Sequence, residues 1–304
     1  MRPVLIIILG LWLASAGMRA AGQGVPAPIG HFEMAYPSPS PDGEQIVFQG
    51  NFDGRWQLYI TNVETGAIRR AHRSTADDTQ PSWSPDGKTI AFISNRDGND
   101  EIYLLNIAIG MARPLAPHPG KDGHPKWSAD GQSVVFNRTF DPRDTDGDRD
   151  AAIVRVGING FGLETLADSD RIETFPALSP DGRQVAFVEW MEGSGGEPAG
   201  DIVLVDLETG ERRNLTRSLE FDAYPVWSPD GAWIYYSSFE QVADGTEEAN
   251  IFRIRPDGTV RQRVTMLDGR SESRAVPTAD GARLFYNAPE NGNILIFNRD
   301  LYTG

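Results

Sequence analysis

A short apolar motif recurs six times along the chain and organises it. Each copy begins with an aliphatic or β-branched residue, ends with an aromatic one, and follows the Asp of an Asp-Gly pair by four to six residues. The copies are Ile46–Phe48, Ile90–Phe92, Val134–Phe136, Val185–Phe187, Ile234–Tyr236 and Leu284–Tyr286. This composition predicts a short strand that is buried on both faces.

The Asp-Gly pairs themselves form a long-period repeat. Each pair follows Pro or Ala, and the Asp recurs every 44 to 51 residues, at Asp42, Asp86, Asp130, Asp181, Asp230 and Asp280. A period of this length is typical of β-propeller blades and is too long for most solenoid repeats.

Further strands are predicted on both sides of this motif. Segments such as Leu58–Ile60 are followed by a second Gly turn, for example Glu64–Gly66, and short segments such as Arg213–Leu215 come after such turns. Gly supplies the positive φ that a tight hairpin needs. With the strand that precedes each Asp, the repeat has four strands. The sequence therefore predicts an all-β fold, a six-bladed β-propeller of four-stranded antiparallel blades.

The two ends of the chain predict how the ring closes. The last repeat stops at Gly304, level with the second turn of the other copies, so its fourth strand is missing. Residues around Val25–Ile29 precede the first repeat where such a strand belongs. We expect an N-terminal strand to complete the last blade and remove an exposed edge. The alternative is a disordered tail.

The second copy of the repeat carries a resemblance to a known family. The run Gln80–Phe92, followed by Ser94–Gly98 and Glu101–Tyr103, resembles the PD40 repeat of TolB-like propellers. The resemblance covers essentially the whole chain after its first residues. It implies a propeller that binds a partner protein, such as a Pal-like lipoprotein. Full-length TolB carries an additional N-terminal α/β domain, and here the first repeat follows the first residues almost directly.

Those first residues resemble a secretory signal. Arg2 is followed by the apolar run Val4–Leu13 and by small residues at Ala14–Ala16, and a second possible cleavage site lies near Ala20–Ala21. The run is too short to span a bilayer. We expect residues 1–21 to be a signal peptide cleaved near residue 16 or 21, and residues 22–304 to be the propeller. The alternative is an uncleaved anchor or a buried helix.

Composition narrows the environment and the partners. The chain has no Cys, which excludes a disulfide framework and a lipoprotein cysteine. Its formal net charge of -15 disfavours nucleic acid and anionic membrane surfaces. We expect a monomeric periplasmic or secreted protein whose mature chain does not insert into a membrane, with a basic partner, a metal ion or a peptide as ligand.

A column of carboxylates stands eight residues before the repeat Asp in five copies. Its members are Asp78, Asp122, Glu173, Asp222 and Glu272. Equivalent positions surround the channel of a propeller, on the face opposite the Asp-Gly turns, so the column is a candidate site for a cation or a Lys/Arg-rich segment. The alternative, which turn chemistry favours, is that each carboxylate accepts hydrogen bonds within its own loop.

An acidic insertion in the third repeat is a second candidate site. Asp144, Asp146, Asp148 and Asp150 alternate around Gly147, as carboxylates do in Ca²⁺ loops, although the spacing departs from the EF-hand pattern. The insertion predicts a structural Ca²⁺ ion. The alternative is a solvated acidic loop.

Catalytic signatures are scarce. The four histidines, His31, His72, His118 and His124, form no HExxH motif, and no nucleophile elbow or phosphate loop occurs. His118 and His124 form either a metal-binding pair or part of an exposed polar loop. The leading hypothesis is a non-enzymatic scaffold that binds a protein or peptide at the channel face. The alternative is a metal-dependent hydrolase or lyase whose site lies at the acidic channel mouth.

Overall fold

In a computed structural model, the described residues are 32–139, 151–192, 198–241, 247–265 and 271–301, together with the backbone of Val4–Leu5. This part of the chain is built from strands and turns. It contains no helix long and apolar enough to cross a membrane.

The strands group into six consecutive blades. After β1 (Val4–Leu5), blade 1 has β2 (Met34–Pro39), β3 (Gln45–Gly50), β4 (Gln57–Asn62) and β5 (Ile68–Arg70). Blade 2 has β6 (Asp78–Trp83), β7 (Thr89–Ser94), β8 (Glu101–Asn106) and β9 (Met111–Pro114). Blade 3 has β10 (Asp122–Trp127), β11 (Ser133–Thr139), β12 (Ala151–Gly157) and β13 (Glu164–Ala167).

The second half of the chain repeats this pattern. Blade 4 has β14 (Glu173–Leu178), β15 (Gln184–Glu192), β16 (Pro198–Asp206) and β17 (Arg212–Asn214). Blade 5 has β18 (Phe221–Trp227), β19 (Ile234–Gln241), β20 (Glu247–Ile254) and β21 (Arg261–Arg263). Blade 6 has β22 (Ser273–Pro277), β23 (Arg283–Glu290) and β24 (Asn293–Asp300).

Each blade is an antiparallel meander, as the sequence predicts. Four blades are separate four-stranded sheets, whereas blades 4 and 5 form one eight-stranded sheet. A single parallel pair, Gly200 with Phe221, joins these two blades. A Cβ at Gly200 would lie 2.8 Å from the Phe221 ring and 2.9 Å from Val188. The close approach of the two blades therefore favours glycine at this position, because a larger residue would force the Phe221 or Val188 side chain to shift.

The apolar core lies between the blades. The described residues form six buried clusters, each made by two neighbouring blades, including blade 6 with blade 1. The aromatic residue that ends each recurring motif is at most 1% exposed, which confirms the buried second strand. Because the six interfaces close on themselves, the six-bladed propeller is confirmed.

The Asp-Gly turns have one shared hydrogen-bond pattern. A Ser or Thr hydroxyl two residues before the Asp donates to the Asp Oδ1 atom, as Ser128 does to Asp130 at 2.6 Å. This bond lowers the pKa of the Asp carboxyl. The following Gly has positive φ in all six copies. These residues build the turn, so the repeat serves as scaffold.

Ring closure uses an N-terminal strand, as expected, but a different one. Strand β1 pairs with β24, where Val4 lies opposite Asn298 and Leu5 opposite Phe297. The predicted closing segment, Val25–Ile29, lies outside the described residues. Because Val4–Leu5 belongs to the predicted signal peptide, cleavage would leave the outer edge of β24 open to another segment.

Candidate functional site

Every innermost strand carries a bulge at the same position. The register of the inner pair shifts there in all six blades. One non-glycine residue in each bulge has φ between 50° and 58°. These six residues, which we name the channel ring, are Tyr36, Gln80, His124, Phe175, Tyr224 and Arg274. Such a backbone costs about 1–3 kcal/mol per residue and is concentrated at functional sites.

The channel ring narrows the centre of the propeller. All six residues line one cavity of about 40 Å³. His124 and Phe175 have ring centroids 4.0 Å apart, and the Phe175 and Tyr224 centroids are 4.5 Å apart. Aromatic contacts at these distances fix the side chains in place.

His124 is held as a neutral ring. Its Nδ1 lies 3.0 Å from Asn137 Oδ1, which can only accept, so Nδ1 carries the proton and donates. Its Nε2 then accepts from the Tyr36 hydroxyl at 3.5 Å. Burial lowers the pKa of His124 to about 3, so the ring is uncharged at neutral pH.

Arg274 is the positively charged member of the channel ring. Its guanidinium carbon lies 4.9 Å from the centre of the Tyr36 ring and 4.6 Å from that of Tyr224. Nη2 donates to the Tyr224 hydroxyl at 2.9 Å, while Nε is buried without an acceptor among the described residues. The guanidinium is thus positioned by aromatic rings and keeps a donor unused.

Lys126 places a second positive charge in the channel. It lies two residues after His124 on β10, towards the Asp-Gly face, and lines the same cavity. Burial lowers its pKa to about 8, so most molecules carry the charge at pH 7. The described residues include no ion pair to Lys126 or to Arg274.

A wider cavity of about 360 Å³, which we name the chamber, adjoins the channel ring on the face opposite the Asp-Gly turns. Tyr36 and Arg274 line both cavities. The other described lining residues come from blades 1, 5 and 6 and include Glu33, Gln49, Trp56, Phe239, Ser271 and Asn287. The chamber therefore combines aromatic surface with hydrogen-bonding groups, as small-ligand sites do.

The acidic column does not line either cavity among the described residues. All five carboxylates are at most 4% exposed and lie at the start of the inner strands. Asp122 makes a bidentate pair with Arg138, at 2.7 and 2.8 Å. Glu173 accepts from Arg212 at 2.6 Å and from Ser169 at 3.0 Å. These side chains contact their own blade or its loops, so the cation-binding role of the column stays a prediction.

Two members of the column have opposite electrostatic environments. Burial would raise the pKa of Asp78, but hydrogen bonds from His72, Ser94 and Ser74 outweigh it and lower the pKa. Burial raises the pKa of Asp222 to about 6, because at this position it outweighs the opposing hydrogen bonds from Ser238 and Thr216. The column is therefore not one uniform site.

The remaining candidate residues are scattered or lie outside the described part of the chain. Asp144, Asp146, Asp148 and Asp150 fall in an undescribed segment, so their Ca²⁺ site stays a prediction. His31 is also outside. His118 Nδ1 accepts from the Gly120 amide at 2.9 Å and thus orders its own loop. No group of three His, Asp or Glu side chains in the described ranges is placed to hold a metal ion.

The channel ring is the feature that sequence reasoning missed. Its members immediately precede the recurrent Pro in five copies, namely Pro37, Pro81, Pro125, Pro176 and Pro225. The residue before this Pro was therefore the sequence feature that could have identified the channel ring. Residues before Pro usually adopt extended backbone, however, so nothing in the sequence indicated that these six side chains turn into the channel.

Comparison with known proteins agrees with the architecture. A family model described as the TolB beta propeller domain matches residues 27–170 and 147–304. A TolB homologue from Chlorobium luteolum is 31% identical over 153 residues, which cover 50% of this chain and 32% of the relative. The chain thus spans about a third of that relative's length.

Two solved structures share the fold over nearly the whole chain. A structure described as a putative TolB from Agrobacterium tumefaciens has a TM-score of 0.65 at 22% identity, covering 89% of this chain and 90% of that one. An oligogalacturonate lyase in complex with manganese has a TM-score of 0.62 at 15% identity, covering 90% of each chain. At these identities, the likeness shows the fold alone.

Proposed function

The chain belongs to the TolB β-propeller family, and on this premise we propose that it is an exported, non-enzymatic scaffold that binds a protein or peptide partner at the channel face. The observation that carries the proposal is the chamber, which opens on this face and is narrowed below by the channel ring. A partner can insert a small segment there and rest on the surrounding loops, which are the variable part of a propeller.

The proposal includes a periplasmic or secreted location. It is supported by the predicted signal at residues 1–21 and by the family. We propose a protein of the bacterial envelope as the partner, with a Pal-like lipoprotein as the specific candidate.

Partner capture with two charge-matched variants tests the binding face. Glu33 lines the chamber, whereas Glu64 lies in a turn on the Asp-Gly face, and both side chains are exposed. We expect Glu33→Trp to reduce the protein captured from envelope extracts at least ten-fold. Glu64→Trp should capture as much as the native chain. Equal capture by both variants would place the partner elsewhere and contradict the proposal.

Metal analysis of the purified protein tests the enzymatic alternative. A tightly bound transition metal in the channel would contradict the pure scaffold and favour a metal-dependent hydrolase or lyase. The structural Ca²⁺ proposed at Asp144, Asp146, Asp148 and Asp150 is tested in the same measurement. Replacing all four with Asn should then remove one bound Ca²⁺ per chain, and unchanged Ca²⁺ content would reject this site.

A further inference from the structure

The channel has the opposite charge to the protein as a whole. The formal net charge of the chain is -15. Yet the charged side chains that line the narrow cavity are Arg274 and Lys126, with His124 neutral and no described Asp or Glu. Glu33 is the acidic residue among the described chamber-lining positions, and it is exposed. A ligand that enters the chamber beyond Glu33 therefore meets the positive charges of Arg274 and Lys126.

The orientation of Arg274 points to the group that it binds. Its Nη2 atom donates to the Tyr224 hydroxyl, and the side chain lines both cavities. The described residues include no Asp or Glu paired with Arg274, so an anionic acceptor arriving in the cavities that this side chain lines compensates its charge. The guanidinium is pre-positioned between two tyrosine rings, so little rotational freedom is lost on binding.

The sizes of the two cavities restrict this anion. The narrow cavity of about 40 Å³ has room for about three water-sized groups, which suits the three heavy atoms of a carboxylate. The chamber of about 360 Å³ can hold the side chain that accompanies the carboxylate, against Trp56 and Phe239.

We propose that the chamber binds a carboxylate of a peptide, which Arg274 receives at the boundary between the two cavities while Lys126 supplies a second positive charge below it. The proposal rests on the proposed function, because it specifies which chemical group of the partner enters the channel. The carboxylate comes from a chain terminus or from an Asp or Glu side chain.

Three labelled peptides separate these sources in fluorescence anisotropy titrations at pH 7 and low salt. The first is dansyl-Gly-Gly-Phe with a free C-terminus, and the second is its amide. The third is dansyl-Gly-Glu-Phe amide, which has a side-chain carboxylate. We expect the first or the third to bind at least ten-fold more tightly than the second. The tighter of these two identifies the source of the carboxylate.

Variants test the residues. Arg274→Gln should remove the preference for carboxylate, and Lys126→Met should weaken the carboxylate peptide about three- to ten-fold. Arg261→Gln is the matched control, because Arg261 also contacts aromatic rings and the Tyr236 hydroxyl but lies on an outer strand. It should bind like the native chain. Thermal unfolding verifies that each variant is folded, and Lys126→Met decides the outcome if Arg274→Gln is not.

Different outcomes contradict the carboxylate inference and the channel-face scaffold. Equal binding of all three peptides, or no binding of any, overturns the carboxylate inference, while loss of partner capture by Glu33→Trp still supports the channel-face scaffold. Displacement of the peptide by trigalacturonate at lower concentration than by unlabelled peptide overturns the peptide assignment in favour of an anionic saccharide. If Glu33→Trp also captures normally, both proposals fail.

Discussion

Replacing Asp222 with Asn removes a negative charge from a fully buried position, and we expect the variant to be more stable than the native protein above pH 6. The Asp222 carboxylate is 0% exposed, and burial outweighs the opposing hydrogen bonds from Ser238 and Thr216. Asn preserves the shape of the side chain and is neutral at every pH.

The magnitude follows from the pKa of Asp222. Burial raises it from 3.8 to about 6, so between these values the folded chain keeps a proton that the unfolded chain has released. The protonated Asp222 carboxyl is therefore tolerated in the folded protein below pH 3.8, and the folded protein loses stability as this group ionises while the pH rises through 6. At 1.36 kcal/mol per pKa unit, the free energy of unfolding decreases by about 3 kcal/mol across this window.

The assay is guanidinium unfolding of both proteins at intervals from pH 4 to pH 8. Groups other than Asp222 contribute equally to both and cancel in the difference. We expect Asp222→Asn to gain up to about 3 kcal/mol over the native chain at pH 8, with most of that gain absent at pH 4. A constant difference across the range, or a less stable variant at pH 8, would refute the reasoning.

Asp78 provides a control at the equivalent position of another blade. Its pKa is lowered, so its ionised form stabilises the fold above pH 3.8, and that contribution is lost as the pH falls through the lowered pKa. Its oxygens lie 2.9 Å from His72 Nε2 and 3.1 Å from Arg96 Nη2. Asp78→Asn should therefore destabilise the protein at pH 7, the opposite sign to Asp222→Asn.

Three further results are expected. Gly200→Ala should lower the free energy of unfolding by about 1–3 kcal/mol, measured in denaturant, because its Cβ would collide with Phe221; an unchanged midpoint would contradict this. Trp227→Phe should cost about 1–3 kcal/mol by thermal unfolding, since the indole donates to Ala177 O at 3.0 Å in the preceding blade. Mass spectrometry of the exported protein should show a start after residue 16 or 21, and a retained Met1 would reject cleavage.

The architecture was predictable because each blade repeats the same local chemistry. The Asp-Gly turn, the aliphatic-to-aromatic strand and the second Gly turn depend on neighbouring residues, so phasing on Asp130 and its equivalents locates the strands. The closing strand was harder to place. Any short apolar segment can pair with the open edge of β24, and the sequence offers both Val4–Leu5 and Val25–Ile29.

The site was less predictable because the bulge in each inner strand changes which side chains face the channel. The alternation of inward and outward side chains that is expected for an unbroken strand does not reveal a register shift. The structure places Asp122 in contact with Arg138 inside the blade, and it turns His124 towards the axis two residues later. Arg274 has no equivalent charge in the other five bulges, so repeat alignment alone did not distinguish it.

The most direct measurement of the central claim is a crystal structure of the protein with the tightest-binding carboxylate peptide. We expect the peptide in the chamber, with a carboxylate oxygen within hydrogen-bond distance of the Arg274 guanidinium and the Phe side chain against Trp56 or Phe239. A peptide bound on the Asp-Gly face, or one in the chamber whose carboxylate points into solvent, would contradict the account.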